Sequence, residues 1–97
     1  MYLIDYDIPA EMRHKFYYSL RMEIISLLLN KIEDSVQKYR KFKEYRRMSI
    51  RQLLNEIDYV KSSQSVILTK NMDLAKIIHS VAMQFGRSNL YEVRKLA

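Results

Sequence analysis

Two acidic side chains near the start of the chain are the residues best suited to chemistry. Asp5 and Asp7 flank Tyr6 and alternate with the bulky residues Ile4 and Ile8. This period of two is typical of a β-strand, which directs both carboxylates to one face of a sheet. Carboxylates are ligands that Mg²⁺ and Mn²⁺ prefer, and such an ion activates water for attack on a phosphodiester. Asp7 is therefore a candidate catalytic and metal-binding residue, and Asp5 is a candidate second metal ligand.

A structural role is the alternative for both aspartates. Pro9 suits the first turn of a helix, because its missing N–H has no partner to lose there. The N-terminus of a helix stabilises negative charge, so an aspartate at the end of the preceding strand can simply accept hydrogen bonds from it. We favour this structural interpretation for Asp5 and keep both interpretations open for Asp7.

The net charge of +6 comes entirely from one segment. Residues 36–51 contain seven basic side chains and one acidic side chain, and the rest of the chain is balanced at ten of each. The basic residues are Lys38, Arg40, Lys41, Lys43, Arg46, Arg47 and Arg51. Tyr39, Phe42 and Tyr45 are interleaved with them, a mixture that suits a phosphate backbone with aromatic packing or stacking. The alternative is a solvated helix whose aromatic residues pack on a dimer partner. We expect this segment to bind DNA or RNA, mostly without sequence specificity.

A structural or adaptor protein is the alternative function, in which a long helix pairs with another helix through Leu29, Ile32, Val36 and Tyr39. This stripe covers barely two heptads, so the location of the charge favours nucleic acid. A small-molecule substrate is not evident, since no convergent set of polar residues is visible. No membrane partner is expected, because the longest apolar run, within residues 24–29, is far too short to span a bilayer.

Hydrophobic periodicity predicts the elements that must position these residues. Strands are predicted at residues 2–8, 64–69 and 89–96, and a short strand at 57–60 is an open alternative. Apolar residues three and four apart predict a helix from Pro9 to the low thirties. The same pattern can continue to about Arg46, which would make one long basic helix.

Capping signals divide the second half of the chain. Ser49 followed three residues later by Gln52 is a capping-box signature, and it predicts a turn at 47–49 before a short helix. Asn71 is a suitable N-cap for a further helix, and Gly86 is expected to end that helix in a left-handed conformation.

The order of these elements predicts an α+β fold. Two strand–helix–strand halves on one small, mainly antiparallel sheet are typical of a ferredoxin-like sandwich, here with a long basic helix. A three-stranded parallel α/β sheet is the alternative. The 97 residues are expected to form a single domain, residues 1–97. The lack of cysteine and of an evident signal peptide predicts a cytoplasmic location. High Lys, Arg, Ile and Tyr with one glycine is typical of a thermophile.

Two short motifs carry a resemblance to known families. Tyr6-Asp7-Ile8 ends the first strand and is followed by Arg13, and Gln64-Ser65-Val66 opens a strand before a main helix. These motifs resemble the small subunit of the CRISPR adaptation complex and the related virulence-associated protein D family. The resemblance implies a ferredoxin-like homodimer in which Asp7 faces its copy and supports metal-dependent nuclease activity. The chain departs from that pattern at residues 30–61, which are longer and more helical, and at Asp5, where an apolar residue is usual.

Overall fold

The computed structural model describes residues 1–57, 59–62 and 65–94. Within these residues, four strands and four α-helices follow one another in an α+β order, which confirms the predicted class. They are β1 (Tyr2–Asp7), α1 (Arg13–Leu29), α2 (Ser35–Tyr45), α3 (Ile50–Glu56), β2 (Tyr59–Ser62), β3 (Val66–Thr69), α4 (Met72–Phe85) and β4 (Arg87–Glu92). A single 3₁₀ turn, Ala10–Met12, joins β1 to α1. None of the described helices is long and apolar enough to cross a membrane.

The sheet has the strand order β2-β3-β1-β4, and every neighbouring pair is antiparallel. The antiparallel prediction is therefore confirmed, and the parallel α/β alternative is wrong. The open alternative of a short strand at 57–60 is realised as β2, which pairs with β3. Gln64 and residues 95–96, which the prediction placed in strands, lie outside the described residues.

Helices cover one face of the sheet. The side chains of β1 therefore alternate between buried and exposed. Ile4 and Tyr6 are buried beneath α1 and α4, whereas Asp5 and Asp7 are exposed. Phe16 of α1 is fully buried in the same core, which also contains apolar residues of β3 and α4. Full burial of a side chain of this size stabilises the fold by about 1.5–3 kcal/mol. The predicted placement of both carboxylates on the face away from the core is confirmed.

The prediction of one long basic helix is wrong. Helix α1 ends at Leu29, and α2 begins after Asp34, whose side chain accepts a hydrogen bond of 3.0 Å from the main-chain N–H of Val36. That cap satisfies an N–H that a new helix would otherwise leave without a partner. The separate helix then packs against α1 and buries Tyr45, which is only 7% exposed. The break also interrupts the apolar stripe from Leu29 to Tyr39. The alternative function, pairing with another helix, would depend on that stripe.

The predicted caps form as expected. Ser49 and Gln52 make both hydrogen bonds of a capping box at the start of α3, at 2.8 and 3.2 Å. Asn71 caps α4 by accepting a 3.0 Å hydrogen bond from the N–H of Leu74.

The left-handed conformation predicted for Gly86 is wrong, since its φ is −172° and its backbone is extended. Glycine is required there because of a close approach to the end of β1. A Cβ atom would overlap the carbonyl oxygen of Asp7 and lie 3.0 Å from the Cα of Ile8. Gly86 therefore lets α4 turn into β4 directly beside the strand that carries Asp7.

Candidate nucleic-acid interface and acidic cleft

Four of the seven predicted basic residues come together around two adjoining depressions. The larger depression has a volume of about 430 Å³ and is lined by Arg40, Lys43, Glu44, Arg47, Met48 and Gln52. The smaller one, about 340 Å³, is lined by Lys43, Arg46 and Arg47. Helical spacing explains the grouping, because residues three and four apart are neighbours on a helix surface. We call the surface formed by Arg40, Lys43, Arg46 and Arg47 the basic surface.

The cations of the basic surface remain available to a ligand. All four side chains are exposed. Within the described residues, the single ion pair joins Lys41 Nζ to Glu44 Oε2 at 3.4 Å, and it lies beside the basic surface. A pair on a helix surface, where solvent screens both charges, contributes little to stability. Lys43 and Arg46 instead lie over aromatic rings, those of Tyr39 and Phe42, at 4.7 and 5.7 Å from the ring centroids.

The other three predicted basic residues do not line these two depressions. Lys38 and Lys41 lie on α2 and are half-buried, and Lys41 is the partner of Glu44. Arg51 is exposed in the first turn of α3, beyond the bend that follows α2. Four of the seven cations therefore surround these two depressions, and Lys41 lines a third depression on α2 together with Arg40 and Glu44.

A residue outside the basic segment holds the bend between α2 and α3. Arg21 of α1 donates a hydrogen bond from Nη2 to the carbonyl oxygen of Met48. Its Nε atom is buried and has no hydrogen-bond partner. The sequence did not predict this role of Arg21, because the only indication was a basic side chain next to the buried apolar residues of α1. Arg21 fixes the bend, and the bend brings Arg47 and Gln52 to the same depression.

A second candidate site is a cleft of about 250 Å³ at the end of β1. Its lining consists of Tyr6, Asp7, Ile8, Arg13, Tyr17 and Ser65. The main-chain N–H of Tyr6 donates to the carbonyl of Ser65 at 3.0 Å, which holds the strand end in place. Arg13, from the first turn of α1, donates from Nε to the carbonyl oxygen of Ile8 at 3.4 Å. The cleft thus combines an exposed carboxylate, a guanidinium group and tyrosine hydroxyls.

The two tyrosines of this cleft have different roles. Burial, and next the neighbouring Tyr17 with its side-chain hydrogen bond, raises the pKa of Tyr6 to about 12. A side-chain hydrogen bond thus joins the hydroxyl groups of Tyr6 and Tyr17. Tyr17 is 41% exposed and Tyr6 only 8%, so Tyr17 is the tyrosine of the cleft that a ligand can reach.

The helix-capping interpretation of the two aspartates is wrong in the described part of the chain. The turn after β1 has no side-chain cap, and the N–H of Met12 donates to the carbonyl of Pro9 instead. Asp5 lies opposite Asn89 in the sheet register, and Asp7 lies at the strand end. Both residues are exposed because the alternation of β1 directs them to the face away from the core.

The fit of a metal ion to these carboxylates is partial. Among the described residues, no group of three or more His, Cys, Asp or Glu side chains is arranged to hold an ion. Asp5 and Asp7 share a face, with Cα atoms roughly 7 Å apart by strand geometry. Two carboxylates suit Mg²⁺ or Mn²⁺ only when the ion keeps most of its waters. Arg87 lies directly opposite Asp7 in the register. Its positive charge would compete with a metal ion for the carboxylate of Asp7.

Comparisons with known proteins leave the function to be argued from this geometry. No protein-family model, curated protein or solved structure matches this chain. The resemblance to the CRISPR small subunit and to the virulence-associated protein D family therefore rests on the short motifs alone.

Proposed function

We propose that this protein binds nucleic acid by holding the phosphate backbone of DNA or RNA on the basic surface. The observation that carries the proposal is the clustering of Arg40, Lys43, Arg46 and Arg47, exposed and without carboxylate partners among the described residues. Four cations around adjoining depressions would give a polyanionic backbone several contacts at once. Such contacts carry no base information, so the binding is largely independent of sequence.

Salt dependence is the experiment that tests this proposal. Each neutralised phosphate releases condensed counterions, so affinity should fall steeply when salt is raised. The measurement is fluorescence anisotropy of a labelled oligonucleotide at about 50 mM and about 200 mM salt. The charge-reversed variant Arg40→Glu/Arg47→Glu should lose binding, whereas Lys70→Glu/Lys76→Glu, with the same charge change on other exposed positions, should retain most of it. Affinity that does not change with salt concentration would contradict contacts with the phosphate backbone.

We infer a ferredoxin-like sandwich as the finer description of the fold. Two observations support it: the strand order β4-β1-β3-β2 with antiparallel neighbours, and the repeated strand–helix–strand halves. Helices α2 and α3 are then an insertion in the first half, between α1 and β2. On this description the basic surface lies in the insertion rather than in the common frame.

We further propose a homodimer formed through the face of the sheet opposite the helices. Leu68, Leu3 and Tyr91 are neighbours in the register across three strands of that face, and Tyr91 is 53% exposed. Asp5 and Asp7 lie on the same face, so a second copy would bring like charges together and a divalent cation would offset their repulsion. The variant Tyr91→Lys should yield a lower mass by light scattering. A wild-type protein that is monomeric with and without Mn²⁺ would refute the dimer.

Metal-dependent cleavage of a phosphodiester at Asp7 is a second candidate activity, and the cleft supports it. Asp7, with Asp5 as a second carboxylate, would hold Mg²⁺ or Mn²⁺, which supplies an activated water. Arg13 and Tyr17 line the same cleft. In this proposal Arg13 would hold a phosphate oxygen, and Tyr17 would donate a hydrogen bond to it.

A titration of Mn²⁺ tests the metal site directly. Calorimetry should show binding to the wild type that is lost in Asp7→Ala and weakened in Asp5→Ala. Glu92→Ala is the matched control, because it removes an exposed carboxylate from β4 and should leave binding unchanged. Equal binding by the wild type and Asp7→Ala would exclude this site.

A further inference from the structure

We propose that the basic surface takes single-stranded nucleic acid, with the ring of Tyr39 as the platform on which one base stacks. This inference rests on the proposed function and specifies the class of polynucleotide. It is carried by the position of one aromatic side chain among the cations of α2.

The three aromatic residues of α2 are placed differently. Tyr45 is buried in the core, and Phe42 is half-buried and packed against it. Tyr39 is 60% exposed, and Val36, one turn earlier, is 59% exposed. Packing therefore explains two of the three rings and leaves Tyr39 in solvent.

Tyr39 lies at the margin of the basic surface. The ammonium group of Lys43 is 4.7 Å from the centroid of the Tyr39 ring, and Lys43 also lines both depressions. Lys43 covers one face of the ring, so a base would stack on the other face, which would place its phosphate within reach of Lys43 and its neighbours. This is the combination of aromatic platform and cationic groove by which proteins bind single strands.

The same arrangement discriminates against an intact duplex. Paired bases hide their faces within the helical stack, so the ring of Tyr39 would meet only sugars and phosphates. A single strand presents free base faces, and stacking on an aromatic side chain is worth roughly fivefold to 150-fold in affinity per base. An exposed helix surface places the expected gain toward the lower end of that range.

The test compares three probes of equal length, about 12 nucleotides. They are a labelled oligothymidylate, an abasic single strand with the same number of phosphates, and a duplex. The variants are Tyr39→Ala, Tyr39→Phe and, as a control, Tyr18→Ala, which removes a tyrosine of α1 that is 65% exposed. Circular dichroism establishes that each variant retains its helix content.

Tyr39→Ala should weaken binding of the oligothymidylate at least fivefold and change binding of the abasic strand less than twofold. Tyr39→Phe should retain wild-type affinity. Tyr18→Ala should bind like the wild type. An equal loss on the oligothymidylate and abasic probes, no loss at all, or tighter wild-type binding to the duplex would overturn the single-strand inference while leaving backbone binding intact. Failure of all three probes to bind would refute the proposed function as well.

Discussion

Neutralising the four cations of the basic surface one at a time should lower the salt dependence of binding in equal steps. The variants are Arg40→Gln, Lys43→Gln, Arg46→Gln and Arg47→Gln, each of which keeps a polar side chain. All four positions are exposed, so each change should alter the free energy of unfolding by less than about 0.5 kcal/mol. Any loss of affinity then reports on the ligand rather than on folding.

The magnitude follows from the number of cations. Each phosphate contact with a single strand contributes about −0.7 to the slope of log affinity against log salt. Four contacts give a slope of about −2.8, which is roughly a 50-fold loss of affinity across a fourfold rise in salt. One neutralised residue should reduce the slope to about −2.1, and the same rise in salt should then cost roughly 18-fold. The quadruple variant should lose nearly all salt dependence.

Fluorescence anisotropy at four or more salt concentrations measures these slopes. Lys38→Gln and Arg51→Gln are the matched controls, because they remove charge from the same segment but not from the two depressions. Their slopes should stay near that of the wild type. If both controls lower the slope as much as the four variants do, the charge acts as a diffuse segment, and the reasoning from the depressions is refuted.

Two further predictions concern the frame around the acidic cleft. Gly86→Ala should lower the free energy of unfolding, measured in urea, by about 1–3 kcal/mol. A second substitution, Ile8→Val, should not restore stability, because the overlap is with the main chain of Asp7. Unchanged stability of Gly86→Ala would contradict the close approach. Tyr6 should ionise near pH 12 in an ultraviolet titration, and Tyr17→Phe should move that transition to lower pH. Because the pKa of Tyr6 is higher folded than unfolded, stability should be lost as pH rises from about 10 to 12, and Tyr6→Phe should lessen that loss.

Local signals in the sequence predicted the elements whose causes are local. The alternation around Ile4 and Tyr6 depends on one strand and one buried face, and the caps at Ser49 and Asn71 depend on side chains within three residues. The break before α2 was missed although Asp34 is a good N-cap, because apolar spacing continues across it. Burial of Tyr45 against the core, a tertiary effect, decides where the second helix lies.

The candidate sites show the same division. The location of the charge was evident from the sequence, but its concentration at the bend after α2 depends on Arg21, which comes from another helix. Asp7 was evident from its strand, whereas its neighbour Tyr17 reaches the cleft only because α1 folds back over β1. The position of Gly86 was predicted, but its reason was not, since the approach to β1 is visible only in three dimensions.

Two-dimensional ¹H–¹⁵N NMR of the labelled protein with a short oligothymidylate tests the central claim most directly. Binding on the basic surface should shift the amide signals of α2 and of the bend after it most strongly, with Tyr39, Lys43 and Arg47 among the largest changes. Signals of Leu3 and Asp5 on the sheet should move little. Shifts concentrated on the sheet, or spectra unchanged at saturating oligonucleotide, would contradict the claim that this helical surface holds a polynucleotide.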